Sequence, residues 1–345
     1  MNLWIFFLVI GSASWFLTTI LRRYAITSSL LDVPNDRSSH LTPVPRGGGV
    51  AILITFIFGL FFLWVGELLG LQVIVAFLGA SFLVASVGFI DDHGHVAARW
   101  RLLAHFCAAG WLLFWLGGLP PLVFFGFEFD LGWGGHLLAC IALVWLLNLY
   151  NFMDGIDGIA GIEALSSSML VGLLFLFVLG NINLSFIHLL MSASVVGFLM
   201  WNLPPAKIFM GDAGSGFIGS TLGGLILYSA HVAQQMFWVW LIILGIFIVD
   251  ATYTLIRRLL QGKQVYVAHR CHAYQYASRL YGGHLPVSLS VLLINVCWLA
   301  PWSVVVAYSL VDGAVAMLCA YIPLLWLAWY FHAGEEEKSP EVGIT

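Results

Sequence analysis

The sequence has 345 residues, of which 61% are hydrophobic and only 9% are charged. Soluble domains average about 45–50% apolar and about 25% charged residues, so this composition excludes a water-soluble globule. The net charge of −4 argues against a protein that binds nucleic acid. The five cysteines show neither metal-ligand spacing nor a disulfide framework, and each is predicted to be a small buried hydrophobic residue.

The first apolar run, from Leu3 to Leu21, predicts a retained membrane helix. No Lys or Arg precedes it, and Arg22 and Arg23 follow it, which reverses the charge order of a cleaved signal peptide. Because positively charged flanks stay in the cytoplasm, we expect the N-terminus to lie outside.

A helix that crosses a bilayer needs about 20 mainly apolar residues. Eleven segments approach this length: 3–21, 49–67, 71–90, 102–119, 136–151, 162–180, 185–203, 216–232, 236–256, 286–309 and 313–331. When these spans alternate, all 13 Lys and Arg residues fall on one side, which the positive-inside rule makes cytoplasmic.

The predicted fold is therefore an all-α integral membrane protein with about eleven transmembrane helices and a cytoplasmic active-site cleft. Residues 1–331 form one domain, and residues 332–345 form an acidic cytoplasmic tail without fixed structure. The longest outer loop follows Pro120 and Pro121, and two short β-prone runs around Gly126 predict a small hairpin there.

The first cytoplasmic loop carries Asp32, Arg37 and His40 and ends at Arg46 with three glycines behind it. Glycines that open a helix let the backbone approach a phosphate closely. A solvated turn leading into a helix is the alternative interpretation.

The second loop opens with Asp91 and Asp92 at the end of the third predicted helix. Adjacent carboxylates repel each other, so a nearby cation, Arg99 or Arg101, is expected to neutralise them. A pair of acids solvated at a helix end is the alternative.

The third loop has the strongest pattern, since Asn148, Asn151 and Asp154 recur every three residues at the end of the fifth helix, with Asp157 behind them. At this spacing the first three side chains can line one cleft. Their oxygens suit Mg²⁺, whereas a purely structural role would leave several polar groups unused at a membrane boundary.

The fourth loop places Asp212 between glycines at a helix start, where it either caps the helix or binds a metal ion.

The fifth loop carries five Lys and Arg residues, among them Arg270, together with His269 and His272. Clustered cations favour an anionic ligand, although a loop can be basic only because it is cytoplasmic. Asp250 is expected to pair with Arg257 and Arg258 and not to act in catalysis.

Acidic oxygen ligands and cations thus converge on one membrane face. This combination is typical of a diphosphate bound to Mg²⁺ and held by Arg and His, and phosphoryl transfer needs little beyond such positioning and charge stabilisation. A site at the bilayer boundary would also admit a lipid phosphate.

In this order and at these loops, the motifs resemble those of the polyprenyl-phosphate N-acetylhexosamine-1-phosphate transferases, glycosyltransferase family 4. The resemblance covers about residues 30 to 280. The residues that carry it are Asp32-Val-Pro-Asn-Asp-Arg37 with His40, Pro45-Arg-Gly-Gly-Gly49, Asp91-Asp92, Asn148 to Gly158, Gly211-Asp212-x-Gly-Ser215 and the fifth loop.

The resemblance implies that undecaprenyl phosphate attacks the β-phosphorus of a UDP-N-acetylhexosamine and that UMP leaves. It implies Mg²⁺, or Mn²⁺, as cofactor, an inner-membrane location in a bacterium and a possible homodimer. Asp212 and Asn151 would hold the metal ion, and Asp91, Asp92 and His272 would be catalytic. The substrate-binding residues would be Arg46, Asn148, Asp154, Asp157 (at the uracil), His269 and Arg270.

The fifth loop departs from the family pattern, because many relatives have a His-x-His-His run where this chain has His272, Tyr274 and Gln275. The form seen here resembles the O-antigen-initiating branch that handles 6-deoxy N-acetyl sugars.

A membrane transporter of an anionic solute is the main alternative, but no internal repeat is visible. An intramembrane aspartyl protease is disfavoured because Phe209 replaces the first glycine of its Gly-x-Gly-Asp element.

Overall fold

A computed structural model describes residues 3–34, 42–94, 96–264 and 269–335. Arg37 and His40 of the first loop lie outside these residues. The described helices are α1 Leu3–Thr27, α2 Val50–Val65, α3 Leu71–His93, α4 Ala98–Leu116, α5 Gly132–Met153, α6 Ile159–Phe177, α7 Ile182–Asn202, α8 Asp212–Val232, α9 Gln235–Ile243, α10 Gly245–Leu260, α11 Ala273–Leu280, α12 His284–Ile294, α13 Ala300–Ala307 and α14 Gly313–Tyr330. The strands are β1 Leu31–Asp32, β2 Val44–Pro45, β3 Leu122–Phe124 and β4 Phe127–Phe129.

The helices make this chain a multi-pass membrane protein. Each of the eleven predicted segments coincides with helix, and large apolar side chains such as Phe114 and Phe177 remain exposed on the helix surfaces. By length and composition, seven described helices can cross a membrane, or eight if α9 and α10 count as one. The prediction of eleven spans and their orientation stays a prediction.

Two of the predicted segments are not uniform α-helices. The segment predicted over 236–256 breaks at Leu244, where α9 and α10 meet at an angle of 70°. A π-helical turn, Asn295–Leu299, joins α12 to α13 in the segment predicted over 286–309. π-helical turns of this kind are short interruptions that α-helices tolerate.

The predicted outer hairpin is present, and β3 pairs with β4 in antiparallel register. Its turn residues Phe125 and Gly126 both have positive φ, 50° and 79°. Two such residues in succession match the twist of a two-residue hairpin. Trp238 of α9 donates its indole N–H to the carbonyl of Val123, which fixes the hairpin on the helix bundle.

The hydrophobic core extends over most of the described helices, including α2, α3 and α8. The buried rings of Phe56, Phe77 and Phe217 join these three helices edge to face, with centroids 5.8–6.1 Å apart. Small residues bring the helix backbones close together near the predicted cytoplasmic loops. A Cβ on Gly88 of α3 would lie 2.6 Å from backbone atoms of Ala213 in α8, so only glycine fits between these helices.

The first residues of the predicted tail are ordered, which corrects the expectation that the tail lacks structure from His332 onward. The N–H of Gly334 donates to the carbonyl of Cys271, and Arg257 contacts both the carbonyl of Ala333 and the carboxylate of Glu335. Residues 332–335 therefore attach the chain end to the fifth loop, and residues 336–345 lie outside the described part.

Gly88→Ala tests the contact between α3 and α8. The added methyl group must separate the two helix backbones, so we expect a lower midpoint of thermal denaturation in detergent, by several degrees, and loss of activity. Gly110→Ala in α4 is the matched control, because no atom lies within 4 Å of its Cβ position. Equal midpoints for the two variants would contradict the assigned contact.

Candidate active site

The ends of α3 and α8 meet through Asp92. Its two carboxylate oxygens accept the backbone N–H groups of Asp212, at 3.1 Å, and Ala213, at 3.2 Å. These amides belong to the first turn of α8, where no intrahelical acceptor exists and negative charge is favourable. Asp92 is only 3% exposed, so the structure gives it a positioning role, and the predicted catalytic role stays a prediction.

Arg46 completes this junction from the first loop by donating to the main-chain carbonyl of Asp92. The expectation that the following glycines approach a phosphate stays a prediction, and the N–H groups of two of them already have partners in the chain. The N–H groups of Gly48 and Gly49 donate to the carbonyls of Phe209 and Met210, each at 2.9 Å. They therefore join the first loop to the fourth loop, directly before Asp212.

Arg101 links the other two acids. Its Nη1 atom lies 2.5 Å from Asp91 Oδ2 and 3.5 Å from Asp212 Oδ2. The structure thus selects Arg101 from the two cations that the sequence offered for neutralising the acid pair. The side chain of Asp91 is 8% exposed, whereas that of Asp212 is 39% exposed, which leaves Asp212 as the more accessible carboxylate.

Asn151 of α5 approaches the same carboxylate from the opposite helix. Its Nδ2 atom donates to Asp212 Oδ1 at 3.0 Å and to Ser215 Oγ at 2.9 Å. Asn148, one turn earlier, donates to the carbonyl of Val144 in its own helix. The predicted cleft pattern therefore brings Asn151 to Asp212, while Asn148 lies deeper along α5.

Asp154 follows α5 directly and is half-buried. Burial, together with the negative charges of Asp212, Asp92 and Asp157, raises the pKa of Asp154 well above its usual range. Carboxylates thus accumulate here beyond what Arg101 neutralises. Such a surplus of negative charge is relieved by a cation or by protonation.

Asp157 has two hydrogen-bonding partners outside the acid cluster. Its Oδ1 lies 3.1 Å from His284 Nδ1, and its Oδ2 accepts the N–H of Ala206 at 2.9 Å. It is 9% exposed. Its predicted contact with uracil stays a prediction, and His284 is a partner that the sequence did not identify.

The fifth loop reaches the acids through Tyr274. Its hydroxyl group donates to the carbonyl of Phe152 at 3.0 Å and covers Gly155, where a Cβ would clash with it. Burial raises the pKa of the Tyr274 phenol well above its usual range, so it remains a donor. The rings of His269 and His272 stack at 5.1 Å, and His272 stacks on Tyr274 at 5.7 Å.

Arg270 follows His269 in the chain and is exposed. The guanidinium group of Arg279 donates to the main-chain carbonyl of Arg270. Asp250 accepts hydrogen bonds from the same loop, a role that the sequence did not assign to it. The contacts of Arg101 with Asp212 and of Asp250 with the fifth loop escape prediction, because these partners lie far apart in sequence and share no motif.

Within the described residues, no group of three or more His, Cys, Asp or Glu side chains forms a complete metal site. Mg²⁺ rarely has an all-protein cage, since it usually binds one or two carboxylates together with substrate phosphates and water. The accessible carboxylate of Asp212, the amide of Asn151 and the surplus of negative charge around Asp154 fit such a partial site.

The site residues from Asp91 to Asp212 lie within the part of the chain that matches a known protein family. The model of glycosyl transferase family 4 matches residues 74–230. A Bacillus subtilis protein, a probable undecaprenyl-phosphate N-acetylglucosaminyl 1-phosphate transferase, is 30% identical over 81% of this chain and 77% of its own length. The chain therefore belongs to the polyprenyl-phosphate N-acetylhexosamine-1-phosphate transferases of glycosyltransferase family 4.

Two further relatives come from different branches. The undecaprenyl-phosphate alpha-N-acetylglucosaminyl 1-phosphate transferase of Thermotoga maritima is 27% identical over 78% of this chain and 80% of its own. The phospho-N-acetylmuramoyl-pentapeptide-transferase of Pelotomaculum thermopropionicum is 31% identical over 74% of this chain and 83% of its own. Because these identities are similar, overall identity does not select the sugar donor.

Asp154→Asn tests the surplus of negative charge. Between the ordinary Asp pKa, about 3.9, and the raised pKa in the fold, the folded protein binds more protons than the unfolded one. Stability therefore falls as the pH rises through this window. Without divalent cations at pH 7, we expect Asp154→Asn to denature at a temperature higher by roughly 2 °C or more, and to lose this advantage below about pH 4.

Asp130→Asn is the control, because Asp130 lies in the predicted outer loop and, within the described residues, accepts only a local N–H, that of Gly132. It should match the unmodified protein at both pH values. A lower denaturation temperature of Asp154→Asn at pH 7 would contradict the assigned repulsion.

Tyr274→Phe tests the connection between the third and fifth loops. Loss of one hydrogen bond, with a net contribution of about 1 kcal/mol, is expected to lower kcat/KM by about fivefold. Tyr276→Phe is the matched control, since within the described residues the Tyr276 hydroxyl makes no hydrogen bond and only its ring contacts Phe331 and His332. Equal kinetics for both variants would show that the Phe152 contact does not matter for turnover.

Proposed function

We propose that this protein transfers an N-acetylhexosamine-1-phosphate group from a UDP-sugar to undecaprenyl phosphate and releases UMP. The convergence of Asp91, Asp212 and Asn151 around Arg101 carries the proposal. These residues lie at helix ends, which supports chemistry at the membrane boundary, where a lipid phosphate and a soluble nucleotide can meet. The proposed location is the cytoplasmic face of a bacterial inner membrane.

The reaction forms a bond between an oxygen of the lipid phosphate and the β-phosphorus of the UDP-sugar. The bond between that phosphorus and the bridging oxygen breaks, and UMP leaves with the electron pair. A lipid phosphate is largely dianionic near neutral pH, so it attacks without needing to lose a proton to Asp91. Catalysis then consists mainly of positioning and charge stabilisation.

Asp212 and Asn151 would hold Mg²⁺, which supplies charge neutralisation for the diphosphate when bound. Asn151 also holds Asp212 in place through its hydrogen bond. Arg101 would keep Asp91 and Asp212 from repelling each other until the substrate enters. Arg270 would provide a cationic group for the diphosphate, and His269 and His272 would provide hydrogen-bonding groups for the diphosphate or the sugar.

The fifth loop supports a donor used in O-antigen initiation, in particular a UDP-linked 6-deoxy N-acetyl sugar. In this chain Tyr274 replaces a histidine of the family run, and its hydroxyl is occupied by Phe152. A pocket bordered by a buried phenol has fewer free donors than one bordered by histidines, which suits a sugar that lacks the 6-hydroxyl group.

The direct test offers purified protein Mg²⁺, undecaprenyl phosphate and one donor at a time: UDP-GlcNAc, UDP-GalNAc, UDP-QuiNAc or UDP-FucNAc. Release of UMP is measured before and after EDTA. We expect UMP from a 6-deoxy donor, loss of release with EDTA and recovery with added Mg²⁺. Release that continues in EDTA would contradict the metal, and absence of release with all four donors would contradict the proposed reaction.

Asp212→Asn separates the proposed metal ligand from the fold. Loss of a carboxylate at the diphosphate is expected to lower kcat by at least about 100-fold, while the protein still inserts and elutes as a monodisperse species. Asp130→Asn in the outer loop is again the control with the same change of charge. Activity of Asp212→Asn close to that of the control would remove Asp212 from the metal site.

A further inference from the structure

Asp250 lies in the second turn of α10, after the 70° bend, and is only 5% exposed. Its carboxylate accepts three hydrogen bonds, from the N–H groups of Ala273 and Tyr274, both at 3.0 Å, and from Thr254 Oγ1 at 3.2 Å. A buried carboxylate requires such partners, because its desolvation is costly.

The fourth partner of Asp250 is the imidazole ring of His272, whose Nδ1 atom lies 3.2 Å from Asp250 Oδ1. A carboxylate only accepts hydrogen bonds, so Nδ1 must carry the proton. The hydrogen bond of one ring nitrogen determines what the other can do. In the neutral ring, His272 Nε2 is therefore the nitrogen that can accept a hydrogen bond.

The plane of the ring is fixed as well. His272 lies between His269 and Tyr274, with interplanar angles of 29° and 24°. Tyr274 in turn donates to Phe152, beside the proposed diphosphate site. The carboxylate of Asp250 thus binds the first two backbone N–H groups of α11 and the ring of His272, which directly precedes the helix. Both lie next to the loop that carries Asp154.

We infer that Asp250 is a positioning residue of the transfer reaction, which fixes the Nδ1–H tautomer and the orientation of His272 so that Nε2 accepts a hydrogen bond from a hydroxyl group of the UDP-sugar. The inference rests on the proposed function for its role in turnover. The tautomer itself does not depend on that function and is measured separately.

The spectroscopic test needs no substrate. Protein labelled with ¹⁵N-histidine is compared with His272→Gln to assign the His272 signals in a lipid nanodisc. We expect a protonated Nδ1 in the unmodified protein and a mixture of tautomers in Asp250→Asn. An unprotonated Nδ1 in the unmodified protein overturns the inference, whether or not any variant folds.

The kinetic test uses Asp250→Asn and Asp250→Glu. An amide offers one acceptor oxygen and cannot serve all four donors, so kcat/KM should fall by about 10- to 100-fold, the range seen when a partner that orients a histidine is lost. The fall should appear mainly in kcat, and Asp250→Glu should restore part of it.

Gln275→Ala distinguishes positioning of His272 from support of α11. Gln275 accepts the backbone N–H of His272 at 3.3 Å, so its loss weakens the same helix start without touching the ring. We expect the tautomer to be unchanged and kcat to fall less than threefold. If Gln275→Ala and Asp250→Asn lose the same activity and shift the same signals, Asp250 only supports the helix.

Failure of the unmodified protein to release UMP would instead reject the proposed function and leave the tautomer measurement intact.

Discussion

The hydrogen bonds of Asp92 to the first amides of α8 are the contact on which the site depends. Without them, two N–H groups of the first turn of α8 and one buried carboxylate would each lose a partner. The contact is available only because Gly88 lets α3 touch Ala213. It aligns the end of one helix with the start of another, and thereby sets the separation of Asp91 and Asp212 that Arg101 spans.

The same arrangement concentrates negative charge. Asp91, Asp92, Asp154 and Asp212 lie near one another, and Arg101 is the cation that bridges two of them. Such a cluster costs stability in the free protein and favours any ligand that brings positive charge. A diphosphate that carries Mg²⁺ brings a cation to the cluster together with the phosphates. Binding of this cation relieves the repulsion among the carboxylates and is favoured for that reason.

The fifth loop is held from three sides by contacts distant in sequence. Asp250 anchors the start of α11, Tyr274 reaches the third loop, and Gly334 holds Cys271 from the chain end. The loop is therefore attached to the acid cluster, although it is basic and lies outside the apolar helices. Its histidines therefore occupy defined positions.

Local patterns determined much of this protein. The apolar runs located the helices, the residues around Gly126 produced the hairpin, and the spacing of Asn151 and Asp154 marked the cleft, because each signal lies within a few neighbouring residues. Only the tertiary structure decided that Asp92 is buried under α8, that Gly48 and Gly49 pair with the fourth loop and that α9 and α10 bend apart. It also brought Arg101 to Asp212 and Asp250 to His272. Such contacts depend on which helices pack together, and helices that are apolar on all sides carry no pattern that specifies their neighbours.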